Sequence, residues 1–433
     1  MNKPTAQQDL VNQSISKDWT MASEDDQQGI HSIHIYPARM VPQVARDLIK
    51  LYGREGEPIG DLSVGSGTVA VEALKLGYDM VCADTNPLAQ LLTKVKTTYL
   101  DPSILEDYRD VILKAYHSSI VTPDEVEKAK EIIPRVEYWF KPAVIEDLIR
   151  VRKAIAGVDN PTIKDFFNVC FSVTVRKASN VRTREFKLYR RSKDELKTYS
   201  PNVLAIFSSS IKKGILGMSY IEEIEKTPII LDEDGRKTTV GSNSLGMILT
   251  SPPYGDSSTT VAYGQFSKYP LLWLGYDITK VREIDQVSFG GKASGDGDVS
   301  SVLRKSESLN NVAKLVRAKD EDRSNVLSRF FRDLDDGLKE MRRVLKDGRF
   351  CIIIIGNRTM RGIRVPTIDI TKELTESGWT IEGRKKKFEC LDIKERHIYQ
   401  KRLPYVGAPQ GRTGQWEPCD LIMNEGIIVL KSV

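Results

Sequence analysis

Cysteine is sparse and unpaired in this 433-residue chain. Cys82, Cys170, Cys351, Cys390 and Cys419 are scattered without the paired spacing of a zinc module or a disulfide-stapled scaffold, and they suit a reducing compartment. Long apolar runs are missing as well. No early stretch resembles a signal peptide and none is long enough to span a bilayer, so a cytoplasmic protein with no membrane partner is expected. Strong charge of one sign is absent too: 64 Lys and Arg against 59 Asp and Glu leave +5, which permits a polyanionic partner without demanding one. His31 and His34 stand at a metal-like separation, but no cysteine or acidic residue accompanies them, and no metal is expected. What the chain does have is 40% apolar residues and the length for two or three units with a full core.

Two stretches carry chemistry. Asp61-Leu62-Ser63-Val64-Gly65-Ser66-Gly67-Thr68 reads as strand, glycine turn and helix start, with Gly65 and Gly67 letting backbone approach a ligand and the helix presenting free amides. A second strand, Met80 to Ala83, ends in Asp84, one helix and one strand beyond the loop, where a carboxylate can hold ribose hydroxyls; Thr85 follows it. The other stretch is Leu249-Thr250-Ser251-Pro252-Pro253-Tyr254-Gly255. Its apolar lead-in, from Met247, reads as a buried strand, and the two prolines stop the ladder in a rigid turn. Ser251 and neighbouring carbonyls can accept hydrogen bonds from an exocyclic amino group, and Tyr254 can stack on the base that carries it. A plain polyproline turn is the bland alternative.

Between these stretches the chain turns helical, from Asp101 to about residue 225, with segments such as Pro142–Ala156 and 162–175. Its middle is basic. From Arg176 to Lys197 there are nine basic and three acidic residues, including Arg176, Lys177, Arg182, Arg184, Lys187, Arg190 and Arg191, with Phe186 and Tyr189 interleaved. Such a cluster can hold phosphates with salt-sensitive affinity, while the aromatics support a distorted strand; a solvated helix face is the alternative.

With these motifs, the chain resembles the S-adenosylmethionine-dependent amino-methyltransferases of DNA. Their cofactor loop commonly reads Asp-Pro-Phe-x-Gly-Ser-Gly-Thr, and their catalytic motif is (Ser/Asp/Asn)-Pro-Pro-(Tyr/Phe/Trp). The segment from His31 to Pro42 is similar to a third family element, often written His-Pro-Ala-Lys-Phe-Pro-Pro. The resemblance implies an α/β, Rossmann-like class I methyltransferase fold: a mostly parallel twisted sheet with helices on both faces, plus a largely helical insertion. It implies a cofactor site of His34, Tyr36, Pro37, Ala38, Asp61, Ser63, Gly65, Ser66, Gly67, Thr68, Asp84 and Thr85. It also implies an acidic residue near the adenine, for which Asp234 of Asp234-Gly235-Arg236 fits best and Asp232 is the alternative. The catalytic residues it implies are Ser251, Pro252, Pro253 and Tyr254, acting on a base flipped out of duplex DNA. The serine form is most typical of enzymes making N4-methylcytosine. Adenine N6 is the closest rival, ahead of RNA amino-methylation and of a non-catalytic nucleic-acid-binding module. A C5-cytosine enzyme would need a nucleophilic cysteine, and Cys419, beside Pro418 near the C-terminus, lacks a strand-end setting. Gly246 departs from the pattern, which often has aspartate at the start of the catalytic strand.

The organisation expected is a polar arm over 1–28 and the cofactor-binding half of the core over 29–100. A helical insertion and candidate target-recognition region follows over 101–225, and the catalytic half over 226–433, with a flexible, glycine-rich excursion near 286–328. Further expectations are a helix over 41–52, a small-residue loop after Tyr254, a parallel buried strand over 350–355, a helix over 365–377, and closing strands over 379–388 and 426–431. A cognate restriction endonuclease is the expected partner.

Overall fold

The computed structural model describes Trp19 and residues 29–182, 185–221, 224–256, 260–291, 298–397 and 424–433. Its centre is a seven-stranded sheet in the order β10-β11-β5-β4-β1-β2-β3. The parallel strands are β1 (Ile59–Asp61), β2 (Met80–Ala83), β3 (Ile229–Leu231), β4 (Leu245–Thr250) and β5 (Leu345–Gly356). β10 (Phe388–His397) and β11 (Asn424–Ser432) close the other edge in antiparallel pairing.

Alternation along the strands builds two cores. On β4, Met247 and Leu249 join the core on one face while Ile248 joins the core on the other. On β5, Ile352 and Ile354 face one way and Cys351, Ile353 and Ile355 the other. A strand buried on both faces has no polar positions to spare, which is why 350–355 reads as one apolar run. Helices therefore cover both faces, as the resemblance implied.

Helix starts are written plainly into the sequence. Pro42 opens α1 (Pro42–Tyr52), after which come α2 (Thr68–Lys75) and α3 (Pro87–Lys96), whose cap Asn86 accepts a hydrogen bond from the Leu88 amide. The insertion comprises α4 (Pro102–Ser118), α5 (Pro123–Ile132), α6 (Val136–Trp139), α7 (Pro142–Ala156), α8 (Pro161–Ala178), α9 (Lys193–Thr198) and α10 (Val203–Met218). It shares a core with one face of the sheet: Phe166, Phe167 and Phe171 of α8 belong to the same cluster as Val44, Val69 and Leu92 and as Met247 and Ile352 of the strands.

Several expectations change over 226–433. After α11 (Tyr263–Leu274) and α12 (Ile278–Val287), the stretch 286–328 is mostly regular, not a flexible excursion. α13 (Ser300–Lys305), α14 (Glu307–Lys319) and the start of α15 (Glu321–Val344) occupy it, held by Val302, Leu309, Val312 and Val316 in the second core. The glycine-rich run 292–297 lies outside the described residues, as do the loop residues 257–259 and Cys419. Two hairpins follow the sheet strands: β6 (Arg358–Met360) with β7 (Ile363–Val365), and, after α16 (Thr367–Ser377), β8 (Trp379–Ile381) with β9 (Arg384–Lys386). The stretch 379–388 is thus not one closing strand. Glu382 and Gly383, both at positive φ, turn it back on itself before β10 begins. Of the expected polar arm only Trp19 is described, and it is buried in the first core.

Candidate cofactor and catalytic site

The order of the strands decides where the two motifs meet. β1 and β4 are neighbours, with Ile59 opposite Met247 and Gly60 opposite Ile248, although 189 positions separate Asp61 from Thr250. Connections leave β1 and β4 toward opposite halves of the sheet, so a crevice opens at their carboxyl ends, where open α/β sheets bind ligands. The glycine loop leaves β1 into that crevice and the Pro-Pro turn leaves β4 into the same one. The strand ends are tied together: Thr250 Oγ1 donates to Asp61 Oδ1 over 2.7 Å, and the Ser63 amide donates to the same oxygen over 3.1 Å.

A cavity occupies the crevice. Asp61, Ser63, Gly65, Ser66 and Thr68 line it from the loop, Asp84 and Thr85 from the end of β2, and Tyr36, Pro37 and Ala38 from the N-terminal segment. Asp234 and Gly235 line it beyond β3, and Ser251 and Pro253 from the turn. The glycine conformations are required. Gly67 has φ 77°, and a Cβ there would stand 2.9 Å from Thr93 Oγ1. At Gly235 a Cβ would lie 2.1 Å from the Leu62 carbonyl oxygen, so only glycine lets the segment carrying Asp234 press against the loop. Lys96, fully buried, donates to the Ser66 carbonyl over 2.9 Å and fixes the loop from behind.

Three carboxylates face one cavity, a setting that suits a cationic ligand. Asp84 accepts from the Gly65 amide through Oδ2 and from the Asn86 amide through Oδ1, both over 2.9 Å. Burial, with the charges of Asp232 and Asp234, pushes its pKa up to about 6 against those two bonds. Burial likewise pushes Asp61 up to about 7, opposed by the bonds from Thr250 and Ser63. Asp234 is tied to Arg236, whose Nε stands 2.9 Å from its Oδ1. Asp232 is not among the lining residues; it accepts from Gln90 and Lys280 at the surface.

Some expected residues stand elsewhere. His34 is buried behind the cavity wall, its Nε2 3.1 Å from Ser172 Oγ and its ring edge-on to Phe266, because the insertion helix α8 packs against it. Gly67 shapes the loop without lining the cavity. Pro252 is buried, and Tyr254 is half-buried and turned toward the closing strands. Ser251 Oγ donates to Tyr254 Oη over 3.2 Å, and Tyr254 Oη donates to Glu425 Oε2 over 2.7 Å. Gly246 cannot be the family's aspartate, since a Cβ there would fall 2.3 Å from Glu57 Cβ.

The basic stretch divides. Arg176 is buried, donating to the Glu185 carbonyl and lying 4.8 Å over the Phe266 ring, so it braces the fold and is removed from any phosphate-contacting surface. Arg190 and Arg191 lie over Tyr138 and Tyr199 at 4.2 and 4.0 Å. Lys177 and Arg182 are exposed, Lys187 is partly buried, and Arg184 lies outside the described residues. Phe186 is exposed at 43%, its ring 6.4 Å from that of Phe266, so the stretch packs against α11 rather than hanging free of it.

Sequence reasoning missed Tyr263, Asn86 and Phe289. Tyr263 lines the cavity and stacks on Tyr36 with centroids 5.9 Å apart. Asn86 lines it too, donating to Tyr36 Oη and Ser267 Oγ over 3.1 and 2.9 Å. Phe289 adds an apolar wall beside Ile284. The only signal for Asn86 was its place directly after Asp84-Thr85; for Tyr263 it was the aromatic run after the turn. Among the described residues no group of three or more His, Cys, Asp or Glu is placed to hold a metal. No described helix is long and apolar enough to cross a membrane.

No family model matches the chain. Over 426 residues it is 33% identical to the type II methyltransferase M.MvaI of Kocuria varians, covering 93% of this chain and 91% of that protein. It is 30% identical over 89 residues to the type II methyltransferase M.MjaII of Methanocaldococcus jannaschii, covering 19% of this chain and 17% of that protein.

Proposed function

Because the chain belongs to the type II methyltransferase family, we propose that it transfers a methyl group from S-adenosylmethionine to the exocyclic N4 amine of a cytosine flipped out of duplex DNA, as the modification enzyme of a restriction-modification system with a partner nuclease. The observation that carries this reading is one cavity lined by both the glycine loop and Ser251.

The donor set fits the cofactor. A glycine cradle accepts close backbone approach, Asp84 offers a carboxylate for ribose hydroxyls, and Asp234 stands where an adenine amine can be met. Asp61 adds negative charge toward a sulfonium and an ammonium. When bound, S-adenosylmethionine supplies an electrophilic methyl group on sulfur. The protein's own task is to make a poor nucleophile competent. The cytosine amine is conjugated to its ring, and acceptors at Ser251 draw its lone pair out of that conjugation. Holding nitrogen in line with the methyl group does much of the remainder, and no covalent enzyme intermediate is needed. The exposed Lys177 and Arg182 supply phosphate contacts. Ser251 favours cytosine over adenine, since the adenine enzymes that the motif resembles carry Asp or Asn there.

Single-turnover methylation of duplex DNA at saturating cofactor, followed by digestion to nucleosides, tests this directly. N4-methylcytosine is expected, with Ser251→Ala slower by roughly 10- to 100-fold and its cofactor affinity retained. N6-methyladenine in the digest would move the target base. No methyl transfer to any DNA would sink the reading.

A further inference from the structure

Glu425 belongs to the last strand, 171 positions after Tyr254, yet it is the acceptor to which the catalytic turn points. The connections are short. Arg396 Nη1 of β10 donates to Glu425 Oε1 over 2.7 Å, with the guanidinium side chain only 3% exposed. That leaves Oε2 for Tyr254 Oη at 2.7 Å, and Tyr254 Oη in turn receives Ser251 Oγ at 3.2 Å. A carboxylate facing a hydroxyl can only accept, so the tyrosine proton is committed to Glu425. The tyrosine oxygen is then left to accept, so the Ser251 proton is committed to Tyr254. Every hydroxyl in the chain therefore donates away from the cavity, and the free lone pair of Ser251, which lines the cavity, faces inward as an acceptor. Burial, reinforced by the Glu425 charge, holds the Tyr254 phenol well above its ordinary pKa, which keeps it a proton carrier and not a phenolate.

Resting on the methyltransferase reading above, we propose that Ser251, Tyr254 and Glu425 form a proton relay that carries the proton released by the methylated amine from the cavity to Glu425. The step balances. The amine lone pair forms the new N–C bond, and the C–S pair stays on sulfur. The nitrogen, now positively charged, gives its proton to Ser251 Oγ. Ser251 gives its own to Tyr254 Oη, and Tyr254 gives its own to Glu425 Oε2, so three bonds to hydrogen break and three form. Glu425 ends as a neutral acid still accepting from Arg396 through Oε1. Arg396 is a positioning residue, fixing which oxygen faces Tyr254.

Replacing Glu425 with glutamine reverses the chain. The amide can donate to Tyr254, which then donates to Ser251, and Ser251 must turn its proton toward an amine that also donates. Removing the tyrosine hydroxyl breaks the chain in the middle and keeps the ring. Glu425→Gln and Tyr254→Phe should therefore each slow single-turnover methylation by roughly 10- to 100-fold. Calorimetric affinity for S-adenosylmethionine and anisotropy-measured affinity for DNA should stay close to wild type in both. Glu425→Gln introduced into the Tyr254→Phe protein should cost little more, because the path is already cut. The relay is overturned if Glu425→Gln costs the same factor in both backgrounds, which would mean it acts through packing or Arg396. It is also overturned if Tyr254→Phe, the variant least able to disturb folding, transfers methyl groups at the wild-type rate. Wild-type protein that methylates no DNA refutes the functional reading instead, so the two failures are distinguishable.

Discussion

Asp84 offers the sharpest quantitative test of the cofactor site. The perturbation is Asp84→Asn, which keeps the shape, removes the charge, and can satisfy only one of the two amides, Gly65 and Asn86, that the carboxylate now holds at 2.9 Å. A charged hydrogen bond to a ribose hydroxyl contributes about 1.5–3 kcal/mol, so cofactor affinity should fall by about 10- to 150-fold. The pH dependence follows from the raised pKa. In the ligand-free protein the carboxylate titrates at about 6, above its ordinary 3.8, chiefly through burial. A ligand that donates hydroxyl protons and carries positive charge selects the ionised form. The share of binding that rests on Asp84 is then fully developed above about pH 6 and declines as pH falls through it. One proton is taken up per ligand lost, a limiting slope of about tenfold per pH unit. Asp61, pushed up to about 7 by burial, adds a separate one-proton decline beginning at higher pH, and that step should survive in the variant. Calorimetric titration with S-adenosylmethionine from pH 5 to 8 reads both. Wild-type affinity in a folded Asp84→Asn protein, or a wild-type affinity indifferent to pH between 5 and 6, would show that Asp84 only braces the loop.

Two further outcomes can be checked. Gly235→Ala places a Cβ within 2.1 Å of the Leu62 carbonyl, a backbone atom that cannot swing aside, so the Asp234 segment must move; calorimetry should show cofactor affinity falling at least tenfold, about 1.4 kcal/mol, while Gly157→Ala, at φ −72° and with its Cβ no nearer than 3.6 Å to any neighbour, serves as the control. Lys177→Ala with Arg182→Ala should weaken DNA binding and reduce its salt slope by roughly one unit per lost phosphate contact, whereas Arg176→Ala should leave that slope alone and lower the urea midpoint, since its buried side chain packs on Phe266.

Much of this molecule was legible before any coordinate. The glycine loop, the carboxylate after the second strand and the Pro-Pro turn are local devices, each needing particular residue types within a few positions, so sequence by itself determined the loop, the turn and the apolar strand at 350–355. Local pattern also set the helix starts, where proline and a capping Asn, Asp or Thr stand together. Only the tertiary structure decided what depends on elements far apart in the chain. Pairing of β1 with β4 put Asp61 beside Thr250 and made one cavity of two motifs. Packing of the insertion against the N-terminal segment drew His34 inward, and its packing against α11 buried Arg176, although a basic run and a histidine motif read the same whether exposed or buried. Glu425 is the clearest case. Nothing near Asn424-Glu425-Gly426 marks it, because its significance comes from β11 lying beside β5, two strands from the turn it serves. A hydrogen-bond partner contributed from across a sheet leaves no periodicity or spacing in the chain, so register alone brings it to Tyr254.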